Sequence, residues 1–347
     1  MSKKDIKEAG KHRATIKDVA LTAGVGLQTV SRVLNGGHYV KASTAARIQR
    51  AIKKHAYQPN EAARMLKGQR ARTIGLILPD LGDPFFSACA HAIQEVATAE
   101  RYMTFVLTAE RKPGLEAREI AMMVGRNISG LLIIPSETHS MSVLAELLDA
   151  GIPVVTLDRR ISSHSSGEVV VDNEEGTRIA IEHMIQHGHK RILALGYDAK
   201  SSTIEDRIKS YRTTMTASGL KPEVLLSDSR ATVPAQLAKR LDIKPMPTAI
   251  FCLNNVVALM TLAVLDARGI EIPQKMAVIG FDDCDFASLL KVPLTAVRQP
   301  AGELGRQAAR LLFQQIHDGN ASSSRTRTRI VLPTELIIRE SCGCPAS

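Results

Sequence analysis

Hydrophobic positions divide the chain into two regions with different periods. Near the N-terminus Ile16, Val19, Ala20 and Ala23 fall at i, i+3, i+4 and i+7, the spacing of one buried helical face. Thr15 stands where an N-cap belongs, and Asp18 three residues on replaces the usual glutamate of a capping box. Gly24-Val25-Gly26 breaks that helix. A second run begins at Leu27, turns Val30, Val33 and Leu34 inward, and stops at Asn35-Gly36-Gly37. A third helix, from about Thr44 to His55, closes the core through Ala45, Ile48, Ala51 and Ile52. Short helices joined across a glycine-bearing turn have helix-turn-helix spacing.

Beyond Arg72 the period changes. Short β-rich apolar runs alternate with amphipathic stretches: Thr73 to Leu78, Met103 to Leu107, Gly130 to Ile134 and Val154 to Leu157, then Arg191 to Leu195, Ala249 to Leu253 and Ala277 to Phe281. The first is followed by a helix from about Phe86 to Ala99. This alternation predicts βαβ units and an α/β fold, with parallel sheets covered by helices on both faces. The 275 or so residues of this region exceed one average domain and suit two lobes.

Charge sharpens the division. Met1 to Arg72 holds 16 Lys and Arg against 4 Asp and Glu, a balance of +12, whereas the whole chain is +10 and everything after Arg72 sums to about −2. The polycation footprint that suits a phosphate backbone therefore belongs to the small unit alone. Its second helix leaves Leu27, Gln28, Thr29, Ser31 and Arg32 on the outer side. Gln pairs bidentately with adenine and Arg with guanine in the major groove, while Ser and Thr suit phosphates. A polar face of this kind also occurs on ordinary surface helices. The charge segregation and the glycine turn favour DNA.

The runs Ala14-Thr15-Ile16-Lys17-Asp18-Val19-Ala20, Ala23-Gly24-Val25 and Gln28-Thr29-Val30-Ser31-Arg32-Val33-Leu34-Asn35 resemble the lactose-repressor family of bacterial transcription regulators. The likeness continues through Tyr57-Gln58-Pro59-Asn60-Glu61-Ala62-Ala63-Arg64-Met65-Leu66 and covers essentially the whole chain after the first dozen residues. The resemblance implies DNA contacts from Thr15, Leu27, Gln28, Thr29, Ser31, Arg32, Asn35, Tyr39 and Thr44. It also implies a hinge helix, formed on the operator, in which Asn60, Ala63 and Leu66 reach the minor groove and Leu66 wedges between base pairs. Isolated in water, so short a segment does not hold as a helix. Gly26 departs from the family, which usually has Ser capping the recognition helix.

Open α/β sheets bind ligands at the carboxyl ends of their strands. Asp80 to Phe86 follow the first strand, Asp158 and Arg159 the Val154 strand, Asn254 and Asn255 the Ala249 strand, and Asp282 and Asp283 Phe281; Arg207 precedes a helix and Gln299 lies in a crossover. Such carboxylates, amides and guanidiniums beside aromatic faces suit a polyol. They are equally common as helix caps and turn formers. By resemblance, Asp83, Phe85, Phe86, Asp158, Arg159, Arg207, Asn254, Asp282 and Gln299 form an effector pocket like that of periplasmic sugar-binding proteins. Many sugar-responsive members have Asn where this chain has Asp83, and Asp where it has Asn255. Arg159 and Arg207 together keep a sugar acid or sugar phosphate in view beside a plain sugar.

The expected organisation is a basic tail over 1–13, a helix-turn-helix domain over 14–59 and a hinge over 60–72. A two-lobed core then spans 73–341, the first lobe about 73–160 and 299–327, the second about 161–298 and 328–341, with a tail over 342–347. The expected function is a sequence-specific repressor with no cofactor, acting as a homodimer on a near-palindromic duplex operator under a small sugar-like effector. An α/β enzyme with an attached DNA-binding unit, and a DNA-binding protein with a vestigial pocket, are the alternatives. No Walker-type loop or nucleophile turn points to catalysis. No run of about 20 apolar residues spans a membrane. The N-terminus lacks the apolar core of a secretory signal, so a cytoplasmic sensor is expected. His183 and His187 at i, i+4 lack the metalloprotease glutamate, and Cys342-Gly343-Cys344 lacks a second pair, so no metal site is expected. Five scattered cysteines suit a reducing compartment.

Overall fold

The computed structural model describes residues 14–34, 40–57, 70–109, 114–135, 141–161, 165–197, 200–319 and 327–344. The DNA contacts expected at Asn35, Tyr39, Asn60, Ala63 and Leu66 lie outside these residues, as do the basic tail and most of the hinge. The chain forms two compact units, Met1–Ala71 and Arg72–Ser347.

The first unit contains α1 (Ile16–Ala23), α2 (Leu27–Leu34) and α3 (Ala42–Lys54). The expected capping box is present. The Thr15 backbone N–H and hydroxyl donate to Asp18 Oδ2 at 2.7 and 2.8 Å. Gly24 ends α1 at φ +62°, a left-handed conformation that costs glycine little, and the Val25 N–H returns to the Ala20 carbonyl at 3.1 Å. Gly26 caps α2 through its backbone, its carbonyl accepting from the N–H groups of Thr29 and Val30. Val19, Ala20, Ala23, Val30, Ile48 and Ala51 are buried at the centre.

The second unit carries β1 (Thr73–Leu78), β2 (Met103–Thr108), β3 (Gly130–Ile133), β4 (Val154–Leu157), β5 (Gly167–Val171), β6 (Ile192–Tyr197), β7 (Glu223–Ser227), β8 (Ala249–Cys252), β9 (Ala277–Phe281), β10 (Thr295–Arg298), β11 (Thr328–Leu332) and β12 (Glu335–Ile337). Its helices are α4 (Pro84–Ala99), α5 (Leu115–Gly125), α6 (Met141–Asp149), α7 (Asn173–Gln186), α8 (Ser202–Ala217), α9 (Val233–Asp242), α10 (Asn255–Ala267) and α11 (Ala301–Asp318). Two six-stranded sheets result, in the orders β11-β5-β4-β3-β1-β2 and β12-β10-β9-β8-β6-β7. Every pairing is parallel except that of β10 with β12.

Lobe boundaries differ from expectation at two places. Strands β5 and β11 pair with each other and, through β4, with the first sheet. The first lobe therefore runs through Val171 and resumes from α11 to Leu332, beyond the expected limits of 160 and 327. The cause is hydrophobic: Val169, Val170 and Val171 are buried, with β5 enclosed between β4 and β11 inside that sheet. The chain passes between lobes near Asp172, Gln299 and Pro333. The first and third passages lie side by side, the Asp172 N–H donating to the Leu332 carbonyl at 2.9 Å.

Helix α11 closes the first lobe by packing on α4 and on β3, β4 and β5. The helices meet at Gly305, where a β-carbon would stand 2.5 Å from the Cys89 carbonyl oxygen, which is backbone and cannot swing aside. Gly305→Ala should therefore force the helices apart and lower stability by about 1–3 kcal/mol. Urea unfolding checks this; an unchanged midpoint would show that α4 and α11 separate without cost.

Candidate functional site

All nine residues carried over for the pocket line one cleft between the lobes. Tyr197, Ser201, Thr203, Ile204, Asn255 and Val256 line it too. Asn255 was noted as a strand-end residue and as a departure from the family pattern but was not carried over to the pocket, and the others were missed. Tyr197 ends β6 and so obeyed the strand-end rule; the expected strand stopped short at Leu195.

Each lobe supplies an aspartate immediately after a buried strand. Asp158 follows β4 at φ +64° and Asp282 follows β9 at φ +71°. This left-handed backbone is costly for a residue other than glycine, and Asp and Asn tolerate it better than most. Arg207, on α8, is buried among strand ends of the second lobe. Its Nε donates to the Asn173 side-chain oxygen at 2.8 Å, and its Nη1 donates to the Leu253 carbonyl at 2.6 Å. Nη1 also lies 3.5 Å from Asp282 Oδ2, and the guanidinium stacks 3.5 Å from the centre of the Phe281 ring. Gln299 Nε2 donates to Asp282 Oδ1. In the first lobe Arg159 Nε lies 3.7 Å from Asp158 Oδ2, and its Nη1 donates to the Pro135 carbonyl at 3.3 Å.

Helix caps account for part of the set. Asp83 caps α4, accepting from the Phe85 N–H at 3.0 Å, and Asn254 caps α10, accepting from the Val257 N–H at 2.9 Å. Phe85 and Phe86 stand edge to face on α4 with ring centres 5.3 Å apart. The two departures from the family pattern meet in space, Asn255 Nδ2 donating to Asp83 Oδ1 at 3.0 Å. Carboxylate and amide have changed sides of the cleft, and their charge count is unaltered. Arg160 makes a second bridge between lobes, with its N–H to Ser202 Oγ at 3.0 Å and its Nη2 to Asp206 Oδ1 at 2.6 Å.

Asp158 Oδ1 and Gln299 Oε1 are buried acceptors with no hydrogen-bond partner. Leaving such atoms unmatched costs on the order of 1–3 kcal/mol each, so the cavity is primed for a molecule that donates. Burial pushes the Asp158 carboxyl up to about 6; Arg159 and Arg207 oppose the shift, and Asp282 and Asp83 add to it. Burial, reinforced by Asp282, likewise raises Asp83.

On the small unit, Gln28 and Arg32 stand exposed one turn apart on α2 beside exposed Leu27, while Thr29 and Ser31 are half-buried. Thr44, on α3, is half-buried, and exposed Lys17, Arg47 and Arg50 add positive charge. No helix among the described residues is long and apolar enough to cross a membrane.

Comparison with known proteins bears on both units. The family of bacterial regulatory proteins, lacI family, matches residues 15–60, and the periplasmic binding protein-like domain matches residues 181–342. The transcriptional regulator CelR of Thermobifida fusca is 33% identical over 95% of this chain and 99% of its own. A structure of the Lac repressor dimer bound to operator and the anti-inducer ONPF superposes with a TM-score of 0.79 at 25% identity, covering 95% of this chain and 99% of that one. A CelR–cellobiose complex gives 0.68 at 29% identity, covering 95% and 100%.

The raised Asp158 carboxyl sets a pH dependence. Its folded pKa of about 6 exceeds the ordinary carboxylate value near 4, so the folded state holds the proton more tightly. Its stabilising contribution is complete below pH about 4 and is lost as pH rises through about 6. Asp158→Asn should raise the melting temperature of the ligand-free protein at pH 7.5 and flatten its decline between pH about 4 and 6. Thermal melts across pH check this; a variant with the parent's pH profile would contradict it.

Proposed function

The chain belongs to the lacI family of bacterial regulatory proteins and is a DNA-binding transcriptional regulator under allosteric control; we propose that a neutral carbohydrate between its lobes exerts that control. The charge pattern of the cleft carries this reading. Arg207 is already matched by Asp282 and Arg159 by Asp158, and Asp83 adds a third carboxylate with only neutral donors. An anionic ligand would find both cations occupied and a carboxylate in excess. A sugar brings hydroxyl donors to Asp83, to Asp158 Oδ1 and to Gln299 Oε1, and a ring face to Phe85 and Phe86. The cellobiose bound by the similar CelR is a ligand of this class.

The ligand acts by linkage. It touches Asp83 and Asp158 from one lobe and Arg207 and Asp282 from the other, so its affinity differs between open and closed arrangements. Two copies paired through their α/β cores place two α2 helices on successive half-sites of a near-palindromic operator, in the cytoplasm. Exposed Met103 and Val106 on β2 and Met122 and Val124 on α5 give the first lobe an apolar edge suited to such pairing. Asn60, Ala63 and Leu66 serve as the minor-groove hinge, and Gln28 and Arg32 as the readers of base edges.

Arg32→Ala should weaken operator binding by about 1–3 kcal/mol and relax sequence choice, measured by anisotropy on operator and random duplexes. Equal losses on both would reduce Arg32 to a phosphate contact. Asp282→Asn keeps a residue that tolerates left-handed backbone while removing the charge. It should cut sugar affinity about tenfold or more, leave operator affinity intact and abolish the sugar response. Calorimetry with neutral sugars, sugar acids and sugar phosphates, beside operator titrations, checks this; wild-type sugar binding by Asp282→Asn would displace the pocket.

A further inference from the structure

Helix α7 begins at the cleft, where the Asn173 side-chain oxygen receives Arg207 Nε, and runs roughly 20 Å away from it. At its far end the fold assembles two motifs that neither alone marked as a site. His183 and His187 present their rings from the last turn, centres 4.4 Å apart. Strand β12 and the turn after it carry Cys344 back to these rings. Its Sγ lies 3.0 Å from His187 Nε2 and 3.5 Å from His183 Nε2, and all three ligand atoms fall within 4.8 Å of one another.

The geometry points to a transition-metal site of the zinc class held by His183, His187 and Cys344, with Cys342 as its fourth donor. Zn–N bonds of about 2.0–2.1 Å and a Zn–S bond of about 2.3 Å place tetrahedral ligand atoms roughly 3.3–3.8 Å apart, close to the separations found here. The tautomer is already set. His187 Nδ1 lies 2.8 Å from the His183 carbonyl, which only accepts, so Nδ1 carries the proton and Nε2 offers its lone pair toward the cation. Cys342 is buried in the core beneath α7 with Ala180, Ile181 and Met184, two residues from Cys344; its sulfur lies outside the three-atom cluster and has to turn toward it to bind. Its thiol donates to the Arg339 carbonyl at 3.3 Å, a weak bond that a metal–thiolate bond replaces. His189 is turned elsewhere, its Nδ1 3.1 Å from Thr248 Oγ1. Thiolate and imidazole donors select zinc-like cations over magnesium or calcium.

Binding displaces the Cys344 and Cys342 thiol protons to solvent, and the cation ties the end of the chain to α7. The test uses the reduced, metal-stripped full-length protein with Zn²⁺ in calorimetry and Co²⁺ in absorption. One equivalent of Co²⁺ should give the visible bands of tetrahedral coordination together with thiolate-to-cobalt charge transfer, and Zn²⁺ should raise the melting temperature. Cys344→Ser and His187→Ala should each weaken Zn²⁺ binding at least about tenfold, and Cys342→Ser should reduce the charge-transfer intensity. His189→Ala should bind like the parent. Circular dichroism confirms that each variant is folded. Octahedral Co²⁺ spectra without charge transfer, or parental Zn²⁺ affinity in Cys344→Ser, would overturn the site. Undiminished charge transfer in Cys342→Ser would overturn its fourth donor.

Discussion

The guanidinium of Arg207 is withdrawn from water, and the second lobe is organised around keeping it matched. Moving such a charge into a protein interior costs several kcal/mol unless hydrogen bonds and an opposite charge compensate. Compensation here comes from the first residue of α7, the carbonyl after β8, the aspartate after β9 and the Phe281 ring. Three separate chain segments therefore have to arrive at Arg207, since Phe281 and Asp282 are neighbours at the end of β9. The left-handed backbone at Asp282 belongs to the same arrangement, since it brings the carboxylate to Arg207 and to Gln299.

The first lobe answers with a similar device, Asp158 in left-handed backbone after β4 beside Arg159. The match is less complete there: Asp158 Oδ1 finds no partner and its carboxyl is pushed up to about 6. Closing the lobes through Asn255 and Asp83, and through Arg160 with Ser202 and Asp206, thus brings three carboxylates and two arginines into one cleft that retains unmatched acceptors. A donor-rich ligand removes that deficit only while the lobes are closed. Such a difference between states is what allows binding in the cleft to shift an equilibrium felt elsewhere.

Much of this was legible in the chain. The capping box at Thr15 and Asp18, the glycine turn and the amphipathic spacing of α1 and α2 are local, and local rules read them. Asp158, Asn254 and Asp282 were visible because strand ends face the cleft in open α/β sheets. What escaped depends on long-range pairing. Strands β5 and β11 lie 160 or so positions apart, and nothing within either says that they join the first sheet. The pairing of Asp83 with Asn255, |i−j| = 172, turns two separate departures into one exchange. His187 and Cys344, 157 positions apart, each looked insufficient for a metal until the fold joined them.

The most direct test of control through the cleft is thermodynamic reciprocity. If a neutral sugar changes operator affinity by some factor, operator must change sugar affinity by the same factor. Anisotropy titrations of operator at zero and saturating sugar measure the first quantity, and calorimetry of sugar with and without operator measures the second. Equal factors, well removed from unity, are the predicted result. Sugar that binds in the cleft with a factor of one in both directions would contradict the account.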